Sequence, residues 1–112
     1  MTDTDLKYRV LKILEQEPHL TQRQLAKKLG ISLGKAHYLI KSLINVGWVK
    51  FENFQQSDNK LSYAYILTPK GIVEKSAITT QFLSRKKREY NELQKEIAQL
   101  QKEVSQQENL KN

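Results

Sequence analysis

The segment Ser32-Leu33-Gly34-Lys35-Ala36-His37-Tyr38-Leu39-Ile40-Lys41-Ser42-Leu43 sorts its residue types onto two faces of a helix. Ala36, Leu39, Ile40 and Leu43 recur at i, i+3, i+4 and i+7, which is one apolar face. Removing that face leaves Lys35, His37, Tyr38, Lys41 and Ser42, with Ser32 and Gly34 at the start. These side chains are suited to recognition. A lysine donates to phosphate oxygens or guanine edges, and histidine, tyrosine and serine both donate and accept. Gly34 would let the backbone come close to a partner. Arg23, beside Gln22 at the start of the preceding helical segment, could clamp a phosphate at a helix N-terminus. Asn59 and Lys60 mark the tip of a polar turn, and Lys70 stands where the last helix begins. For each of these residues the plain alternative is a solvated surface side chain. Lys35, His37 and Tyr38 divide between base reading and phosphate contact.

Bond-making chemistry finds little support. The chain has no cysteine, which excludes disulfides, thiolate nucleophiles and cysteine-based zinc sites. Its two histidines, His19 and His37, have no nearby partner with ligand spacing. No glycine-rich phosphate loop, nucleophile elbow or carboxylate pair outside the tail is present. The expectation is a non-enzyme without cofactor or metal.

These residues need elements to carry them. Leu6, Val10, Ile13 and Leu14 recur at helical spacing from about Asp3 to Glu15, and Pro18 ends that helix. Thr21-Gln22-Arg23-Gln24 is a capping box, with Leu20 and Leu25 at the staple positions. This second helix stops at Gly30. Ser32 then caps a third helix, Leu33 to Val46, and Gly47 closes it. Two helices joined by about three residues carrying a glycine read as a helix-turn-helix. Trp48–Phe51 and Tyr63–Leu67 are β-prone runs around the polar stretch 55–60, which predicts a hairpin. Thr68-Pro69 opens a last helix as cap and first residue, running without proline to about Glu108. The β-branched Ile78-Thr79-Thr80 marks a place for a kink.

The expected fold is mainly α with a small β-hairpin: a winged helix-turn-helix over residues 1–75, a C-terminal coiled-coil helix over 76–108, and a frayed end over 109–112. Trp48, Phe51, Tyr63 and Tyr65 are expected to cap the small core. The alternative is that they stack single-stranded bases.

Charge follows the same division. The 112 residues carry 19 Lys and Arg against 12 Asp and Glu, a net +7. From Pro18 to Phe51 there are basic residues only: Arg23, Lys27, Lys28, Lys35, Lys41 and Lys50. After Arg88 the sign reverses. A basic body implies a polyanionic partner. The polar, acidic start does not read as a signal peptide, and no apolar run approaches the ~20 residues of a membrane helix. The expected location is the cytoplasm.

In the tail, Leu83, Tyr90, Ile97 and Val104 fit heptad position a, while Lys86, Leu93 and Leu100 fit d. β-Branched residues at a with leucine at d favour a parallel two-stranded coil. The expectation is a homodimer paired through Leu83, Tyr90, Leu93, Ile97, Leu100 and Val104. Arg85-Lys86-Lys87-Arg88 form a basic neck, either solvated or touching flanking phosphate.

Ile31-Ser32-Leu33-Gly34-Lys35, Val46-Gly47-Trp48-Val49-Lys50 and Tyr65-Ile66-Leu67-Thr68-Pro69-Lys70-Gly71-Ile72 resemble the MarR-type winged-helix regulators. The pattern Glu52-Asn53-Phe54, Ser57-Asp58-Asn59-Lys60 and Tyr63-Ala64-Tyr65 is similar to the EPS-associated MarR branch. The resemblance implies a dimeric bacterial regulator on palindromic DNA, linked to exopolysaccharide genes. This chain departs from typical members: one heptad helix stands where they use an N-terminal helix and two C-terminal ones around a ligand cleft.

Taken together, the expected partners are double-stranded DNA with inverted-repeat symmetry and a second copy of the chain, with no membrane. The rival reading is a winged-helix adaptor whose coil binds another protein.

Overall fold

A computed structural model describes residues 2–55 and 61–110. It divides into two compact units, Met1–Ile78 and Thr79–Asn112.

The first unit begins with α1, Asp3–Gln16. Its start is fixed by a reciprocal box: the Asp5 amide donates to Thr2 Oγ1 (3.1 Å) and the Thr2 amide donates to Asp5 Oδ2 (3.3 Å). Helix α2, Gln22–Leu29, repeats the device one element later. There the Gln24 amide donates to Thr21 Oγ1 (3.0 Å) and the Thr21 amide to Gln24 Oε1 (2.8 Å). Gly30 ends α2 at φ 67°, a left-handed conformation that costs glycine nothing and other residues about 1 kcal/mol. Two residues later Ser32 caps α3, Leu33–Asn45, by accepting the Lys35 amide at 3.0 Å.

Strands β1 (Val49–Gln55) and β2 (Leu61–Leu67) pair antiparallel, with Val49 opposite Leu67 and Gln55 opposite Leu61. The ladder is longer than the β-prone runs predicted. Polar Glu52 and Asn53 are carried into it because Ala64 and Tyr63 offer them partners across the pair. The polar stretch between the strands, including Asn59 and Lys60, lies outside the described residues.

One residue, Thr68, separates β2 from α4, Pro69–Leu110. Thr68 Oγ1 accepts the Gly71 amide (3.0 Å) and donates to the Gly47 carbonyl, while the Thr68 amide donates to the Trp48 carbonyl (3.0 Å). The long helix thus starts pinned to the end of α3. Gly71 makes this approach possible: a Cβ there would lie 2.0 Å from the Trp48 carbonyl oxygen.

The core collects Leu6, Val10, Leu11 and Leu14 from α1, Leu25 and Leu29 from α2, and Leu39, Ile40 and Leu43 from α3. Val49, Tyr65 and Leu67 close it from the hairpin. Both staple leucines, Leu20 and Leu25, are buried. No buried polar or charged residue occurs among the described residues. Leu11 is fully buried although it lay off the expected spacing; Ile13, on that spacing, is only partly buried. The apolar stripe of α1 is therefore wider than one heptad face.

In the second unit most side chains of α4 are exposed, while Phe82 and Arg85 are half-buried against each other. Leu83, Tyr90, Leu93, Ile97, Leu100 and Val104 retain 46–60% of their surface. No described helix is long and apolar enough to cross a membrane.

Candidate nucleic-acid interface

Helix α3 buries Ala36, Leu39, Ile40 and Leu43 and turns its remaining residues outward. Ser32, Gly34, His37, Tyr38 and Lys41 are exposed, and Lys35 and Ser42 are half-buried. A shallow groove of about 360 Å³ runs along the second half of this face, lined by Tyr38, Lys41, Ser42, Asn45 and Val46. Asn45 belongs to the face by position but was not among the expected residues. Its signal was present, since it lies one turn beyond Lys41.

Several of these groups have partners in the free chain. Lys35 Nζ lies 3.1 Å from Asp3 Oδ1 and 5.0 Å from the centre of the Tyr38 ring. The ammonium is therefore held between the start of α1 and its own helix by an exposed ion pair and a cation–π contact, each worth about 1 kcal/mol or less. The Ser32 hydroxyl oxygen accepts at the cap, which leaves its own hydrogen for an outside partner.

The α2 side adds a network that spacing along the chain did not announce. His37 Nδ1 and Gln22 Oε1 are 3.1 Å apart, and Gln22 Nε2 donates to the Tyr65 hydroxyl at 3.2 Å. Gln22, from α2, thus ties the outer face of α3 to β2. A small cleft of about 210 Å³ lies at this junction, lined by Gln22, His37, Ile40, Lys41, Ile44, Phe51 and Tyr65. Arg23 is exposed next to Gln22 in the first turn of α2, and Lys70 is exposed in the first turn of α4.

The hairpin aromatics are used in packing to different degrees. Tyr65 is buried, Trp48 and Tyr63 pack partly against the core, and Phe51 remains 45% exposed. Phe51, Tyr63 and Tyr65 touch one another with ring centres 5.4–5.8 Å apart. Burial of Tyr65 removes one face needed for base stacking. His19 is spent on structure, its Nδ1 donating to the Tyr63 carbonyl at 2.9 Å. Among the described residues no group of three or more potential metal ligands gathers.

Three helices, a returning hairpin and a long final helix define a winged helix-turn-helix. Residues 3–50 match the family model described as winged helix-turn-helix DNA-binding. Among solved structures, the adhesin competence repressor AdcR of Streptococcus pyogenes is 27% identical, covers 79% of this chain and superposes with a TM-score of 0.56. This chain spans 63% of that one. A MarR transcriptional regulator from Methanosarcina mazei shares 24% identity over 68% of this chain and 55% of its own, with a TM-score of 0.50. A mutant of S. aureus MepR bound to an oligodeoxyribonucleotide shares 24% identity over 89% of this chain and 76% of its own, with a TM-score of 0.55. The last two likenesses concern the fold alone. No curated protein matches the sequence.

Proposed function

We propose that the protein is a transcription regulator that binds double-stranded DNA as a homodimer. The observation that carries this reading is the outward face of α3, set in a helix-turn-helix whose residues 18–51 are free of acidic side chains. In this reading α3 enters the major groove, with Lys35, His37 and Tyr38 toward base edges and Lys41 and Ser42 toward the backbone. Arg23 and Lys70 contact flanking phosphates at helix starts. Asn59 and Lys60, which lie outside the described residues, keep the role expected from sequence, contact with the duplex. Support comes also from the AdcR repressor, whose fold this chain shares.

The second copy pairs along α4. Positions a and d between Leu83 and Val104 span about 32 Å of helix. Half-exposed apolar side chains repeating over that length need a cover. Two-fold pairing would place two α3 helices on an inverted repeat with half-sites about 34 Å apart or a multiple of that. The target genes, by the resemblance to the EPS-associated branch, are exopolysaccharide genes, and the site of action is the cytoplasm.

Selection of bound genomic fragments followed by sequencing tests the reading. The expected result is an inverted repeat whose binding falls steeply with salt, by about tenfold or more for a severalfold rise. A salt-insensitive protein that enriches no sequence and co-purifies with another chain would establish the adaptor reading instead.

A further inference from the structure

We propose that Gln22 is a positioning residue that fixes the tautomer of His37, so that His37 presents a hydrogen-bond acceptor to the major groove. This inference rests on the reading in which α3 enters that groove.

The amide of Gln22 is the key. Its Nε2 donates to the Tyr65 hydroxyl at 3.2 Å, so the opposite end of the amide, Oε1, is what faces His37 Nδ1 at 3.1 Å. In this orientation of the amide the oxygen accepts, so Nδ1 carries the hydrogen. A neutral imidazole has one N–H, and that one is committed. Nε2 is then left with a lone pair, at the far side of an exposed ring on the outward face of α3. The orientation is anchored in depth, because Tyr65 is part of the buried core and its own amide donates to the Pro18 carbonyl at 2.9 Å. Lys41, the charged side chain lining the same cleft, can only donate. Neighbouring Lys41 and His37 therefore differ in hydrogen-bond character, the one suited to phosphate and the other to a base donor.

An acceptor in the major groove meets a donor on two bases only, the exocyclic amino groups of adenine and cytosine. Guanine O6 and N7 and thymine O4 are acceptors and would face the Nε2 lone pair unfavourably. His37 thus selects an amino-bearing base at one position of each half-site, and Gln22 makes that selection from outside the groove.

Two measurements on the full chain decide the matter. Proton–nitrogen correlation spectra at about pH 8, where an ordinary histidine is neutral, report which ring nitrogen carries hydrogen. The expected result is Nδ1–H at His37 in the wild type and its loss in Gln22→Leu; an Nε2–H ring in the wild type overturns the proposal. Selection from a randomised duplex pool reads the consequence. One position per half-site should favour adenine or cytosine by about fivefold or more. That preference should flatten in His37→Ala and turn toward guanine or thymine in Gln22→Leu, with other positions unchanged. Profiles identical to wild type in both variants overturn the base-reading role. A wild-type pool without enrichment would instead overturn DNA recognition by α3, while the spectra still decide the tautomer.

Discussion

Lys41 and Tyr38 stand on the same outward face, an ammonium on a four-carbon stem against one aromatic ring, and they should fail differently. Lys41 carries a point charge suited to phosphate, so Lys41→Ala should weaken binding on every duplex and reduce the salt slope by about one. Tyr38 offers a rigid ring and one hydroxyl, so Tyr38→Ala should relax sequence preference with a smaller loss on random duplex. Titrations on a cognate and a scrambled duplex check both, and parallel losses would reject the division of roles. At this scale the sequence was readable where one helix holds the whole pattern: the faces of α3 follow from period alone. Gln22 was not legible, because its role depends on His37 and Tyr65, 15 and 43 residues away. Phe51 was misjudged for a related reason. Its place in the aromatic trio depends on a packing order that strand propensity does not encode, and it stays half exposed.

Element boundaries were legible wherever a cap wrote them. Thr21 with Gln24, Ser32, and Thr68 with Pro69 each fixed a helix start through a local hydrogen bond that sequence spacing reveals. The hairpin ladder was underestimated because pairing, and not propensity, recruits Glu52 and Asn53. Two predictions belong to junctions between elements. At Gly71, the only residue small enough to pass the Trp48 carbonyl is glycine, so Gly71→Ala should destabilise the first unit by about 2–3 kcal/mol in denaturant unfolding. A change under 0.5 kcal/mol would mean the helix start shifts freely. Between α1 and α3, Asp3 competes with the DNA for Lys35. Asp3→Asn should tighten DNA binding about two- to fivefold, with little change in stability since the pair is exposed. An unchanged dissociation constant would show that Lys35 lies outside the interface.

For the molecule as a whole, the two units divide the work proposed above: the first reads and the second pairs. Truncation after Arg88 should leave a folded monomer by sedimentation, with far-ultraviolet signal reduced only by the lost helix. Binding to an inverted repeat should fall to that of a single half-site. A truncated chain that keeps its dimer mass would assign pairing to the first unit. The heptad spacing was legible because repetition needs no tertiary context. What covers those side chains was not, since one chain carries only half of any interface.

The core of the first unit holds leucine, isoleucine, valine and one tyrosine, and in the Lys28–Glu17, Lys35–Asp3, Lys50–Glu52 and Lys75–Glu15 ion pairs at least one partner is well exposed. Salt therefore reaches the outside of the protein but has no lever on its inside. Raising ionic strength works as a release key: it should strip the chain from its polyanion while the scaffold keeps its shape, ready to rebind as soon as the salt is diluted.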